Sequence, residues 1–584
     1  MKKIVITCTV TVLLLSTAAA PTAIQGDSPL DIDGGIHDTM PAAGCSDGDT
    51  LYVGGSGPDN YTTIQAAVDA ARDGDTVFVY DDSSPYQENV VVRKSILLVG
   101  EEKNTTVVDG GRTTHDGVLV GADGVTISHL TIRNSGTYEG SGIHLRSDGN
   151  RVSQTVLYNN SCGITLSKSN DTFLHDNYFI SGNEGIHLWN TDDIHIQRNL
   201  FINNSYRGIH ADRIGNCTIA DNLFSNNSCG MAMVNHSSDN LLYSNSFYQD
   251  GVFVRASSHN TFVDNTVNGK PLVYLEGQMD VEIPENAGQI ILVNCSHLTI
   301  KGYNLSTVPF PFILISTDHI IVENNTVQDA YVGVWLHHSS HNHISGNKLT
   351  GTQEQAIELE SSHDNEIVDN TIVENRWGGI RLSFSRRNTI SSNMVNSNPC
   401  GITIGSLSNR NVVADNEVCN NTNYGITIQG GSFNRITGNN VSGNREWCGI
   451  SILHFFSCGN LVSRNTISSN HWVGIDLEGV GNIIRKNDIS HNTRYGLFVE
   501  GAAEQVTTLN VISHNNFIDN GKNAGFHTRI LNHNFWYRNY WSDWRLPLPK
   551  PIKGTAYIWV PYRSFEFPWL NVDLCPRLLP ASPD

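Results

Sequence analysis

Two histidines, His187 and His210, recur in the same local setting, Gly-Ile-His, and Asp212 follows the second by two positions. If the two segments are neighbouring strands, the imidazoles sit side by side on one face, and Asp212 lies on that face one pleat along. An imidazole beside a carboxylate is a general base, and Trp189 adds a ring on which a sugar can stack. The expected catalytic group is therefore His187, His210 and Asp212. Glu358 and Glu360 are the second choice, because strand residues two apart place their carboxylates roughly 7 Å from each other, within the range that glycoside hydrolysis uses. Arg381, one repeat later, offers Glu358 an ordinary surface ion pair. Asp476 and Glu478 repeat the acidic pair further along the chain.

Aromatic residues follow a separate pattern. Tyr206, Tyr331, Trp377, Trp447 and Trp472 each stand two residues before a recurring glycine, and Tyr424 and Tyr495 stand one before it. Such rings line one edge of the molecule, either packed on one another or open to the apolar faces of sugars. Arg207, Arg376, Arg445 and Arg494 accompany them, and guanidinium groups suit the carboxylates of acidic polysaccharides. The expected carbohydrate-binding residues are Trp189, Trp377, Trp447, Trp472, Arg376 and Arg445. Imidazoles gather in sequence only at His337, His338, His341 and His343, a tract that could take copper or zinc. It falls in a turn that the repeat makes polar anyway, and the chain has only six Met. No cofactor is expected; no motif calls for copper or calcium.

The elements that position these residues are set by internal repetition. Gly-apolar-x-apolar recurs from Gly142 through Gly163, Gly185, Gly208 and Gly230, and again from Gly333 to Gly496, with neighbouring starts 21 to 25 residues apart. A second landmark, Asn-x-Ile/Val-x-x-Asn-x-apolar, runs through Asn177, Asn199, Asn222, Asn245, Asn370, Asn393, Asn416 and Asn439. Period-two alternation means strands, and the interval is too short for a strand plus a crossover helix. Two or three short strands per turn, stacked in parallel on the next turn, remain. The predicted fold is all-β, a right-handed single-stranded parallel β-helix with a short N-terminal capping helix. Asn and Gly are expected at left-handed corners, the Asn amides bonding up and down the stack.

Lys2 and Lys3 before the apolar run Ile4 to Leu15 and the small residues Ser16 to Ala20 have the layout of a secretory signal, assigned to residues 1–25. A flexible stretch 26–50 follows; 51–124 hold the N-terminal cap, with a helix near Thr62 to Ala71, and the first turns. Repeats fill 125–530, with an irregular segment near 267–320 marked by Pro271, Pro284, Pro309 and Pro311. The tryptophan-rich end 531–584, with Trp536, Trp541, Trp544, Trp559 and Trp569, is a second cap over the open edge of the stack. With 37 basic and 57 acidic residues the net charge is −20, and no basic stripe exists, so nucleic acid is not a partner. No segment of the mature chain is long and apolar enough to span a membrane. No Cys-x-x-Cys pair occurs. Cys162, Cys229, Cys400 and Cys448 lie too many layers apart to pair with one another, leaving small buried fillers, although a Cys448–Cys458 bond stays open.

The helix segment Ile64-Gln65-Ala66-Ala67, the run Asn268-Gly269-Lys270-Pro271-Leu272-Val273-Tyr274 and the closing Asn539-Tyr540-Trp541-Ser542-Asp543-Trp544 together resemble the NosD-like, or CASH-type, carbohydrate-binding and sugar-hydrolysis β-helix proteins of archaeal secreted type. The resemblance covers nearly the whole mature chain and implies the pectin-lyase-like fold, which hosts lyases, hydrolases, epimerases, esterases and inert surface proteins alike. Tyr86-Gln87-Glu88-Asn89-Val90 resembles the start of pectin methylesterases, yet their Gln-Asp-Thr-Leu and Asp-Phe-Ile-Phe-Gly elements are absent. Asn190-Thr191-Asp192-Asp193 echoes a polygalacturonase element without its Gly-His-Gly or Arg-Ile-Lys, and no Asp-Pro-His-Glu of a mannuronan epimerase occurs. The expected function is an exported cell-surface or extracellular protein that binds polysaccharide, acidic glycans in particular. A polysaccharide hydrolase, lyase or epimerase is the alternative, and a copper-handling accessory protein the second.

Overall fold

The computed structural model describes residues 48–581 except 137–139, 455, 502–506, 530–532 and 561–562. The expected signal segment 1–25 and nearly all of 26–50 lie outside the described residues. Strands of each turn pair in parallel and in register with those of the next: Ile164, Ile186, Ile209 and Met231 form one inward column, and all are fully buried. The result is a right-handed parallel β-solenoid of about 21 turns with a single helix among the described residues.

Asparagine and glycine are where the repeat predicts them, but not for the predicted reason. The left-handed backbone belongs to the residue before each ladder asparagine, such as Asp176, Arg198 and Asp221. The asparagines point inward instead. Asn199 Oδ1 accepts from both the backbone N–H and the Nδ2 of Asn177, at 2.9 and 3.1 Å, while Asn177 Nδ2 also donates to the Val152 carbonyl. Each buried amide thus satisfies the layer above and the corner beside it. Equivalent ladders occupy other corners, as in Asn365–Asn388–Asn411 and Asn398–Asn421–Asn444. The repeat glycine is likewise not a corner residue. A Cβ on Gly185 would lie 2.5 Å from the Gly208 carbonyl oxygen and 2.7 Å from the Phe201 ring, so the position admits only hydrogen.

The helix Ile64–Ala70 closes the first end, burying Ile64, Ala67 and Val68. Thr63 Oγ1 accepts from Ala66 N–H, and Glu88 accepts from the Ile64 and Gln65 N–H groups at 2.8 and 3.0 Å. The Tyr86–Val90 segment therefore anchors the cap. At the other end regular strands continue through Phe535–Tyr537 and Tyr540–Trp541, beyond the expected boundary at 530. A hairpin of Lys550–Val560 with Arg563–Asp573 follows.

The segment expected to be irregular up to 320 is a junction that is complete by about 289. Thr266–Val267 turns back to pair antiparallel with Lys270–Glu276, which then pairs in parallel with Gln289–Val293 and starts a second coil. Gln289 joins the two coils with its side chain, accepting from Val252 N–H at 2.9 Å and donating to the Val252 and Phe310 carbonyls. Phe253 of the first coil packs on Phe310 and Trp335 of the second, with ring centroids 4.5 and 5.0 Å away. Cys448 is a free thiol, as are Cys162, Cys217, Cys229, Cys295, Cys400, Cys419 and Cys575, so the Cys448–Cys458 bond does not form.

Candidate functional site

In-register pairing of the strands Glu184–Asp192 and Arg207–Gly215 brings His187 onto His210, with ring centroids 4.5 Å apart and planes within 20°. The carboxylate that orients them is Glu184, not Asp212. Glu184 Oε1 lies 3.2 Å from His210 Nδ1 and Oε2 3.4 Å from His187 Nδ1, with Arg207 Nη1 3.7 Å away. Asp212 is turned to Arg213 at 3.0 Å and Asn235 at 2.9 Å. Burial pushes the Glu184 pKa up, but contact with His210 and the charges of His210, His187 and Arg207 outweigh it, so the carboxyl titrates below its ordinary range. Burial drives His187 the opposite way, toward the neutral base, against the attraction of Glu184. A buried carboxylate facing the Nδ1 atoms of two imidazoles leaves their Nε2 atoms for a ligand, an arrangement that suits a base. Trp189, 38 % exposed, lies between the charges of Lys168 and Arg213 on the same strand face.

The acidic pair Glu358 and Glu360 sits at the junction, on the strand Gln355–Glu360. Glu358 has Arg381 only at 4.0 Å, and burial, opposed by that guanidinium, pushes its pKa up. Glu360 accepts from Arg255 Nη2 at 2.5 Å, an ion pair between the two coils. The carboxyls are thus held in unlike environments, one dry and one paired with a cation.

Among the expected binding residues, Trp377, Trp447 and Trp472 are all exposed, at 59, 50 and 42 %. Only the last two adjoin: Trp447 and Trp472 are 6.5 Å apart, and Tyr424 stacks on Trp447 at 5.9 Å, forming a shelf. Trp377 stands on an earlier turn, separated from the shelf's first turn, that of Tyr424, by one that carries Pro399 in its place. Arg376 and Arg445 are not the cations on the rings; Arg494 is, 4.2 Å over Trp472. Asp476 and Glu478 lie within electrostatic range of Tyr424. Burial raises Asp476 well above the carboxylate range, helped by Glu500 and Glu478. Burial also pushes Glu478 up to about 7 against the pull of the His454 N–H. Both acids stand beyond Trp472 on its own turn, along and just past the strand Val473–Leu477, and are largely protonated in mildly acidic solution.

The histidine tract does not converge. His337 is buried against Trp335, and burial together with His338 and Arg255 lowers its pKa to about 4. His343 turns to Glu366 at 3.1 Å, and His341 to Asp318 at 2.7 Å. His337 and His338 meet edge to face, with centroids 4.2 Å apart, but His341 and His343 turn to separate carboxylates, so the four rings do not share one site.

A search of curated proteins finds short matches to plant enzymes. Probable pectinesterase/pectinesterase inhibitor 6 of Arabidopsis thaliana is 32% identical over 113 residues, covering 17% of this chain and 20% of that protein. Number 20 from the same plant is 33% identical over 119 residues, 17% of this chain and 21% of that one. The chain spans about a fifth of the length of these relatives. Solved structures similar to it include a double mutant of the periplasmic alginate epimerase AlgG, at 12% identity over 71% of this chain and 76% of that one, TM-score 0.29. The A-module of the Azotobacter vinelandii mannuronan C-5 epimerase AlgE4 matches at 12% identity over 80% and 94%, TM-score 0.21. A family profile described as periplasmic copper-binding protein (NosD) matches residues 68–271, 272–424 and 408–544, most of the described solenoid, and the chain belongs to that family.

Proposed function

We propose that this protein is exported and binds polysaccharide, acidic chains in preference, along the outer face of its second coil. The observation that carries the reading is the Tyr424–Trp447–Trp472 shelf, a contiguous run of rings on consecutive turns of a rigid scaffold, half-buried at Tyr424 and exposed at Trp447 and Trp472, with a guanidinium laid on one end. A solenoid presents such rings without ordering a loop, so little entropy is lost on binding an extended chain. The Lys2-Lys3 start with its apolar run supports export. Among the described residues no helix is long and apolar enough to cross a membrane. The test is titration of polygalacturonate into the parent and into a Trp447→Ala/Trp472→Ala variant. At about 0.5 to 1.5 kcal/mol per ring, affinity should fall by roughly one to two decades; an unchanged affinity would show that the rings only pack on each other.

A second reading, polysaccharide cleavage or epimerisation, is favoured by the Glu184–His187–His210 group. In it His210 takes or gives the proton at the sugar and Glu184 steadies the imidazolium that forms. His210→Ala should then lower any turnover by about two orders of magnitude with the fold intact, and activity equal to the parent's would remove the group from catalysis.

Copper, named in the family's description, meets a particular donor set here. Burial pushes the thiols of Cys162 and Cys448 up, and that of Cys229 to about 12, so at these three positions thiolates are not offered. Imidazole and carboxylate are, in two groups: Glu184 with His187 and His210, and Asp318 with His319 and His341. In the first, Arg207 already neutralises the carboxylate and opposes a cation. The second fits a divalent ion better, and bound there the metal would supply a positive charge and open coordination positions.

A further inference from the structure

The left-handed corner position that holds Asp193, Asn216 and Asp239 in the first coil holds histidine on three consecutive turns of the second, at His297, His319 and His341, with φ of 56°, 54° and 55°. Histidine is tolerated in this conformation, so one would mean little. Three make a column: His297 stacks on His319 with centroids 5.0 Å apart and planes within 2°, and His319 on His341 at 5.3 Å and 16°. One carboxylate serves two of the rings. Asp318 Oδ2 is 2.7 Å from His319 Nδ1, and Oδ1 is 2.7 Å from His341 Nδ1. The three ligand atoms lie within 4.8 Å of one another. The column borders a shallow recess of about 330 Å³ whose wall also includes His343.

We propose that Asp318, His319 and His341 form a surface site for a divalent transition-metal ion of the kind that prefers imidazole, Cu²⁺ or Zn²⁺, and that the bound ion staples consecutive turns of the second coil just past the junction. Two nitrogens and an oxygen are a donor set for such ions, and solvent completes the coordination. Both Nδ1 atoms already face the one carboxylate, so binding exchanges hydrogen-bonded contacts for metal bonds with no rearrangement of the strands. Protons compete for the imidazoles, so affinity weakens as pH falls through the histidine range.

The experiment uses the untagged full chain, stripped of metal, and measures uptake of Cu²⁺ and of Zn²⁺ separately by calorimetry and elemental analysis, with the Cu²⁺ electron paramagnetic resonance spectrum and thermal unfolding as further readouts. His319→Asn/His341→Asn is the test variant, because asparagine keeps the left-handed corner, and His236→Asn/His338→Asn, at left-handed corners outside the recess, is the control. The parent should bind an ion through nitrogen ligands and unfold at a higher temperature when loaded. The test variant should lose one equivalent or at least tenfold in affinity, together with that stabilisation, while the control keeps both. The proposal fails if the parent takes up less than about a tenth of an equivalent, if the test variant binds as the parent does, or if the control variant is the one that loses the ion.

Discussion

Each coil ends an asparagine ladder on an aspartate, and the two ends differ. Asp573, fully buried under the last turn, accepts from the Asn539 N–H and Nδ2 at 3.0 Å each and from Trp541 Nε1 at 3.1 Å, while its other oxygen takes the Arg538 N–H. Asp250, at the junction, accepts only from the N–H and Nδ2 of Asn227, and its Oδ1 has no partner. Burial, opposed by those two bonds, pushes Asp250 up to about 8. A carboxylate ends a ladder well where donors surround it and poorly where they do not. The second coil closes on a satisfied charge, whereas the first is interrupted at a strained one.

The interiors differ as well. Phe179, Phe201, Phe224 and Phe247 stack down the first coil at 4.5 to 4.7 Å. Under the corresponding glycines of the second coil stand Val395, Val418, Val441 and Ile467. Glycine recurs above both fillings, with Ala356 in its place once in the second coil, so the repeat tolerates either. What distinguishes the coils chemically is their outer faces, with a buried carboxylate under two imidazoles in the first and uncovered rings beside protonated acids in the second.

The comparison of ladder ends is broken most severely by Asp573→Ala. It strands buried N–H donors of Asn539 and Trp541, each costing about 1 to 3 kcal/mol. In a solenoid the damage stays local, so hydrogen exchange should accelerate in the last turns, near Asn516 to Trp541, and not around Phe179 to Phe224. Uniform exchange along the chain would show that the cap does not depend on this aspartate. Asp250→Asn should act the other way. Below the unfolded pKa of 3.8 the protonated carboxyl contributes its full stability; as pH rises toward about 8 the unfolded group ionises first, and the contribution is lost. The asparagine variant should therefore match the parent near pH 4 and exceed it by on the order of 2 kcal/mol above pH 8; denaturant unfolding at both pH values decides it. The smallest effect is expected on the shelf. Glu478 ionises near 7 and then repels a polyanion, so parent affinity for an acidic glycan should fall severalfold from pH 6 to pH 8, while Glu478→Gln stays nearly flat. Parallel pH profiles for the two proteins would detach Glu478 from binding.

Periodicity made the fold legible, because a solenoid writes its core as a repeat; His187 and His210 were legible as one column for the same reason. Glu184 was not, since its own column reads Cys162, Glu184, Arg207, Cys229, with no constant chemistry. The Arg255–Glu360 pair joins residues 105 apart across a junction that no repeat encodes. The histidine tract was read along the chain, from His337 to His343, whereas the molecule assembles His297, His319 and His341 down it. Arg494 was read as accompanying the rings but was left out of the binding set, because the ring it covers stands one turn earlier, while Arg376 and Arg445 are only neighbours in sequence.

The claim that the second coil is the glycan-binding face is tested most directly by calorimetric titration of polygalacturonate against two variants in parallel, Trp447→Ala/Trp472→Ala on the second coil and Trp189→Ala on the first, with circular dichroism to confirm the solenoid in each. The shelf variant should lose roughly one to two decades of affinity and Trp189→Ala less than threefold. The reverse order, or equal retention of affinity by both variants, would contradict the assignment.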